Sequence, residues 1–377
     1  ELNKKSFENM SLDHIAENYR LAKSHEKRDL LSEHWDVFNT NFEKVIVDKK
    51  VWKRMLRNAL TLGFNDNLTE ISNKRFSKAD DSLWTRLRGG EYDDLIFDIE
   101  DEDTKSIKLH EDKLMDTIEV TDLKFVMQNT LSNIGSPVAT KFKTDGRFGV
   151  NEILCNLHDL DDIRHCWQIL RSLDSISMPE KPIFCEIGAG YGGLQTKIRN
   201  NIPNARFVII DLPEVNAAQN YYLSKVFPKD TILGYQDFKL LGSEILNANF
   251  NFLILPAWTI KDLFKNKEVD VFINIRSMME MNADTLQFYF NTIQSSLKDR
   301  GIFVCFNRYV KKVGEFINRL DHYPFDKNWK IISSNKNTFQ PQIHNLIAER
   351  NYGLENRELV TDLNASLVKY LETTRAK

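Results

Sequence analysis

Glu186, Gly188, Gly190, Gly192 and Gly193 are spaced to grip a nucleoside-like ligand. An apolar run, Phe184 to Ile187, breaks into these glycines and then into a helical pattern from Leu194 to Asn201, which predicts a strand, a tight turn and a helix facing the ligand. Gly188 and Gly190 let backbone approach a ligand closely, while Gly192 and Gly193 remove side chains where helix and strand pack. Asp211 ends the next apolar run, where a carboxylate can accept from ribose hydroxyls with Leu212 against the base; the other reading is a helix cap within Asp211-Leu-Pro-Glu. Asp237 with Phe238 follows a third run and either meets a base amino group or caps a turn.

These glycines leave two ligands open. Gly188, Gly190 and Gly193 satisfy the dinucleotide spacing G-x-G-x-x-G with Asp211 downstream, so a NAD-dependent sugar dehydrogenase is one reading. Glu186 makes the stretch Glu-x-Gly-x-Gly-x-Gly, which resembles class I S-adenosylmethionine (SAM) methyltransferases. In that family the turn holds the methionine end of the cofactor; beside a pyrophosphate the same carboxylate would repel. Tyr191 and Asn274, at the turn and at a later strand end, join the expected cofactor contacts.

Further chemistry sits at strand ends. The exit Asn274-Ile-Arg-Ser277-Met-Met-Glu280-Met281 is polar and sulfur-rich for a segment leaving a buried strand. Glu280 is a candidate base for an acceptor hydroxyl, or a helix-start carboxylate favoured by the dipole. Asn307, Arg308 and Tyr309 follow the fifth strand; Arg308 and Lys311 suit an anion, Tyr309 a sugar face, and a solvated basic loop is the plain alternative. His344, in Gln-Pro-Gln-Ile-His, is a second candidate base.

The elements that must position these groups alternate from residue 151 to 353. Strands at 183–187, 206–210, 232–235, 269–275 and 301–306, with helices at 157–173, 194–201, 215–226 and 286–297, predict a mostly parallel α/β sheet covered on both faces. Two β-like runs, 329–333 and 345–348, predict an antiparallel closing hairpin, and 355–377 a surface helix. Asp159, Asp161 and Asp162 begin the helix at 157, where negative charge suits the dipole. Residues 1–150 read as a mainly helical cap or homodimerisation layer, with an acidic run at 91–103 and turn clusters at 133–137 and 144–146.

Composition narrows the class. A chain of 377 residues with formal charge −3 gives no global argument for nucleic acid or an anionic membrane. No apolar run reaches the roughly 20 residues of a membrane span, and no signal-peptide pattern opens the sequence. Its first residue is Glu1, so the natural start is expected upstream. Cys155, Cys166, Cys185 and Cys305 lack paired spacing and read as reduced thiols of a cytoplasmic protein. No metal site is expected, Cys155, His158, His165 and Cys166 having no finger-type spacing.

Together, Glu186 to Gly193, Ile210-Asp-Leu-Pro-Glu, Asn274 to Met281 and Asn307-Arg308-Tyr309 resemble the sugar O-methyltransferases, bacterial SAM-dependent enzymes of surface-polysaccharide biosynthesis. The resemblance covers about residues 130–350 and implies a Rossmann-like class I methyltransferase sheet. It also implies SAM as cofactor and methyl transfer to the hydroxyl of a nucleotide-linked sugar or glycan precursor. Ser277, Asn307, Arg308 and Tyr309 would then face the acceptor. This chain departs from the family's Ser-Phe-Gln-Glu-Met at Met278 and Met279. A non-catalytic protein retaining the fold is the remaining alternative.

Overall fold

The computed structural model describes residues 12–25, 104–130, 140–143, 152–155, 157–174 and 176–375. The acidic run at 91–103, the turn clusters at 133–137 and 144–146 and the helical pattern of 26–90 lie outside the described residues. Helices α1 (Leu12–Ser24), α2 (Thr104–Val120) and α3 (Leu123–Asn129) precede a hairpin of β1 (Thr140–Lys143) and β2 (Glu152–Cys155). Helix α4 (Leu157–Leu173) leads into β3 (Ile183–Ile187), α5 (Gly193–Asn201), β4 (Arg206–Asp211) and α6 (Pro213–Val226). Next come β5 (Ile232–Leu233), α7 (Tyr235–Leu241), β6 (Phe252–Pro256), the short α8 (Ile260–Leu263), β7 (Val269–Ile275) and α9 (Ala283–Ser296). The chain continues through β8 (Leu297–Arg308), β9 (Val310–Val313), β10 (Phe316–Arg319), β11 (Trp329–Lys336), β12 (Ile343–Arg350) and α10 (Glu358–Arg375).

Eight strands form one sheet in the order β11-β12-β8-β7-β3-β4-β6-β5. Strand β12 runs antiparallel to both β8 and β11, and the other neighbours pair in parallel. This is the expected Rossmann-like sheet with an antiparallel closing hairpin. Strand β3 pairs with β4 on one side and β7 on the other, so strand order reverses there and a crevice opens beyond the strand ends. Alternate residues of β3 point to opposite layers: Phe184 into a core with α4, α5 and α6, Cys185 and Ile187 into a core with α9 and α10.

One strand of this eight-stranded sheet was not read from the sequence. The run expected at 232–235 supplies only the two-residue edge strand β5, and the neighbour of β4 is β6. Asp237 is the reason the earlier run stops: its carboxylate accepts from the Gly234 N–H at 2.8 Å, so Tyr235 opens a helix. The stretch after β8, read as an acceptor-binding segment or a solvated basic loop, folds back as the hairpin β9–β10, with Val310 opposite Arg319.

Candidate functional site

Three glycines of the β3–α5 turn are left-handed, with φ of +75° at Gly188, +60° at Gly190 and +96° at Gly192. Gly188 donates to the Ile210 carbonyl at 2.9 Å, and a side chain there would overlap the Ser277 hydroxyl. Gly193 packs on Asp162 and Tyr191 in the same way. Gly190 differs: a Cβ there would meet nothing within 4 Å. The turn is thus closed against protein at one glycine and open at the next, as close ligand approach requires.

Glu186 lies below this turn, buried, and accepts from Gln195 Nε2. Burial, with Asp162 and Asp211 nearby, pushes its carboxyl well above the usual range. Asp211 ends β4 and accepts from the Leu212 N–H and Gln219 Nε2, both at 2.9 Å. Desolvation raises it to about 7, against the pull of these donors and of the Gly190 and Ala189 N–H groups. Only the Leu212 and Gln219 contacts are close hydrogen bonds, and a carboxylate offers about four acceptor directions, which leaves room for a diol. Leu212 caps α6 in an extended conformation. Asp237 is committed to the Gly234 cap, and Phe238 packs with Tyr235, which meets Trp258 edge-on just after β6.

Two asparagines tie the ends of β3, β7 and β8 together. Asn274 donates to the Ile187 carbonyl at 2.8 Å and accepts from the Met278 N–H at 3.1 Å and Asn307 Nδ2 at 2.9 Å. Asn307 in turn accepts from the Met279 N–H at 3.1 Å. Both are fully buried, and Ser277 donates to the Ile187 carbonyl at 2.9 Å. These groups, expected as ligand contacts, hold the turn after β7 in place.

The two candidate bases are placed differently. Glu280 ends a 3₁₀ turn (Met278–Glu280), is partly exposed and forms an ion pair with Lys311 of β9. His344 is fully buried under α10, with Nδ1 2.9 Å from the Tyr309 hydroxyl and Nε2 2.8 Å from Ser334 Oγ, which donates to Asp362. Burial lowers its pKa to about 4. Tyr309 stacks on Tyr370 at 4.6 Å and so does not present its ring to a sugar. Arg308 keeps a buried Nε without a hydrogen-bond partner.

A further set of polar groups stands on the first turns of α4, where sequence reading found only dipole-favoured aspartates. His158 packs over Tyr191 at 5.4 Å, and its Nε2 is 4.0 Å from Asp162. Asp159 pairs with buried Lys197 at 2.5 Å. Asp162 is raised to about 7 by burial. Asp161 accepts from Gln340 Nε2 at 3.0 Å and lies 3.8 Å from Arg276, which follows β7 with φ +66°. The missed signal was a run of charges on a helix whose neighbours Leu160 and Ile163 are wholly buried. Among the described residues no group of His, Cys, Asp and Glu could hold a metal ion, and no helix is long and apolar enough to cross a membrane.

No protein-family description matches the chain, and no curated protein is similar to it. Solved structures with a partial likeness include the mitomycin 7-O-methyltransferase MmcR (TM-score 0.32, 11% identity), over 51% of this chain and 57% of that one. A SAM-dependent methyltransferase from Aquifex aeolicus aligns at TM-score 0.34 and 10% identity over 49% and 89%. Human N-acetylserotonin methyltransferase, in complex with SAM, aligns at TM-score 0.29 and 15% identity over 48% and 51%. This chain spans just over half the length of the mitomycin enzyme. Its fold rests on its own strand order.

Proposed function

We propose that this chain is a SAM-dependent O-methyltransferase that methylates a hydroxyl of a sugar, in a nucleotide-linked or glycan-precursor acceptor. One observation carries the reading. A turn that opens to space at Gly190 lies at the reversal of strand order, with the Asp211 carboxylate at the end of the adjacent strand. Buried Glu186 beneath it accepts from Gln195 and completes the Glu-x-Gly-x-Gly form of the turn, which favours SAM over the dehydrogenase reading.

Asp211 has the acceptor capacity for two ribose hydroxyls, and Gly190 admits the cofactor against bare backbone. Leu212 would flank the adenine. SAM, when bound, supplies an electrophilic methyl group, and most of the acceleration then comes from alignment of the two substrates. The chain's remaining task is to take the hydroxyl proton. Glu280 is the better placed of the two expected bases, because it is partly exposed at the end of the turn after β7, with Lys311 beside it. His344 has both ring nitrogens engaged and no open face.

Thermal melts of the full chain with S-adenosylhomocysteine and with NADH separate the readings. Stabilisation by S-adenosylhomocysteine alone is expected, since a ligand of the native state raises the melting temperature. Methyl transfer is then followed by mass spectrometry on nucleotide sugars. Absence of any shift with S-adenosylhomocysteine at saturating concentration overturns the proposal.

A further inference from the structure

We infer that Arg164, Arg276, Arg308 and Lys113 form a cradle for a phosphate or pyrophosphate group carried by the acceptor. The inference rests on the reading above only in naming the bound molecule an acceptor; the anion site itself stands on its own geometry. Arg276 Nη1 and Lys113 Nζ each lie 3.8 Å from Asp161, near enough for attraction and too far for a good hydrogen bond. Arg164 is 8% exposed, its Cζ sits 3.4 Å from the centre of the Phe339 ring, and it donates through Nη2 to Thr338 Oγ1 at 2.6 Å. Its Nη1 is buried with no hydrogen-bond partner, as is Nε of Arg308.

Lys113, Arg164 and Arg276 meet around Asp161 from α2, α4 and the turn after β7. The Arg276 N–H donates to the Phe306 carbonyl at 2.8 Å, and Phe306 meets His165 of α4 at 5.3 Å. Arg308, two residues further along β8, points to the same face. The carboxylates that offset these cations are Asp161, already shared with Gln340, Asp162, which feels Arg276, and exposed Asp116 of α2. Four cations thus meet three carboxylates, and two guanidinium N–H groups are desolvated without acceptors. Such groups are costly to bury unless an anion arrives. Planar guanidinium forks match phosphate oxygens, and a fixed stack such as Arg164 on Phe339 keeps one fork in place.

The cradle adjoins the glycine turn. Asp162, next to Asp161, packs against Gly193, and Arg276 directly follows the strand whose Asn274 is bonded to Ile187. An anionic group there could belong to the acceptor or be the carboxylate of the methyl donor, and the test must tell them apart.

Pyrophosphate and S-adenosylhomocysteine are titrated separately into the full chain at constant ionic strength, by calorimetry, for wild type, Arg164→Gln and Arg276→Gln. Expected is pyrophosphate binding by wild type, weakened about tenfold or more in each variant, with S-adenosylhomocysteine affinity changed by less than about threefold. If Arg164→Gln fails to fold, Arg276→Gln decides alone. No pyrophosphate binding by wild type, or equal binding by both variants, overturns the cradle. Loss of S-adenosylhomocysteine binding with pyrophosphate binding intact assigns the cluster to the donor and also overturns it. Failure of wild type to bind S-adenosylhomocysteine while pyrophosphate binds would instead remove the methyltransferase reading and leave the anion site standing.

Discussion

Asn274 donates its carboxamide N–H to the Ile187 carbonyl at 2.8 Å, and so joins β7 to β3 at the point where the strand order reverses. The same carboxamide accepts from Met278 and Asn307. Asn274→Leu would orphan the Met278 N–H in the interior, strip the Asn307 amide of its oxygen acceptor and take one of two donors from the Ile187 carbonyl. A loss of about 2–4 kcal/mol follows from such orphaned groups, measured by urea denaturation. A change below about 0.5 kcal/mol means that the network carries little of the stability.

Gly188 and Gly190 should respond differently to the same methyl group. Both are left-handed, so alanine costs each about 1 kcal/mol in backbone strain. At Gly188 the methyl also overlaps Ser277, and Ser277→Gly should recover part of the loss in a double variant. At Gly190 nothing is displaced within the protein, so Gly190→Ala should be the milder change for stability. Its effect should instead appear in S-adenosylhomocysteine affinity, through a methyl placed where the ligand comes close. Equal stability losses at the two positions would contradict the packing difference.

The glycine turn and the strands around it were legible because their signals are local: an apolar run, then glycines, then a helical period. The closing hairpin was legible for the same reason. Strand β6 was not, because Ile232 to Tyr235 and Phe252 to Pro256 are equally plausible strands, and only the cap between Asp237 and Gly234 shortens the first. At the site, residue type outran residue role. Asn274, Asn307 and Tyr309 are polar or aromatic at strand ends, where ligands bind, yet their partners are one another, His344 and Tyr370. The charges of α4 lay in plain view and were read only as dipole-favoured, since no local signal tells that Arg276 and Gln340 come to meet Asp161.

The buried imidazole of His344 sets part of the acid sensitivity. Its pKa is lowered from 6.5 to about 4, chiefly because burial disfavours the cation, with Asp362 pulling the other way. A lowered value means that the folded state binds fewer protons than the unfolded one. The associated stability is therefore complete above pH 6.5 and is lost as pH falls towards 4, by on the order of 3 kcal/mol at most. His344→Gln has no such titration. The stability difference between wild type and variant should shrink steadily from pH 7 to pH 4 in denaturant melts, whereas a constant difference would mean that the ring is not buried as neutral imidazole.

Glu280→Gln separates a proton acceptor from a structural ion pair. A base that takes the hydroxyl proton in the transition state contributes about 10²–10⁴-fold to kcat. The variant should lose rate on that scale, with S-adenosylhomocysteine affinity unchanged. Lys311→Met should cost far less, because it removes only the partner of the carboxylate. If kcat falls equally in both variants, the pair holds β9 against the turn after β7 and the proton goes elsewhere.

Asp211 titrates in the opposite sense to His344. Its carboxyl is raised from 3.8 to about 7, first by burial. The folded state then holds its proton more tightly than the unfolded one between these values, so the stability it confers is complete below pH 3.8 and is lost as pH rises through 7. Asp211→Asn cannot ionise, and its melting temperature relative to wild type should rise between pH 4 and pH 8. Ligand binding should move the other way. The ionised carboxylate is the better acceptor for ribose hydroxyls, so S-adenosylhomocysteine affinity of wild type should increase from pH 6 to pH 8. The variant should bind weakly and without that slope. A wild-type affinity flat across pH 7, equal to that of Asp211→Asn, would place the ribose away from this carboxylate and leave it as the acceptor for Leu212 and Gln219 alone.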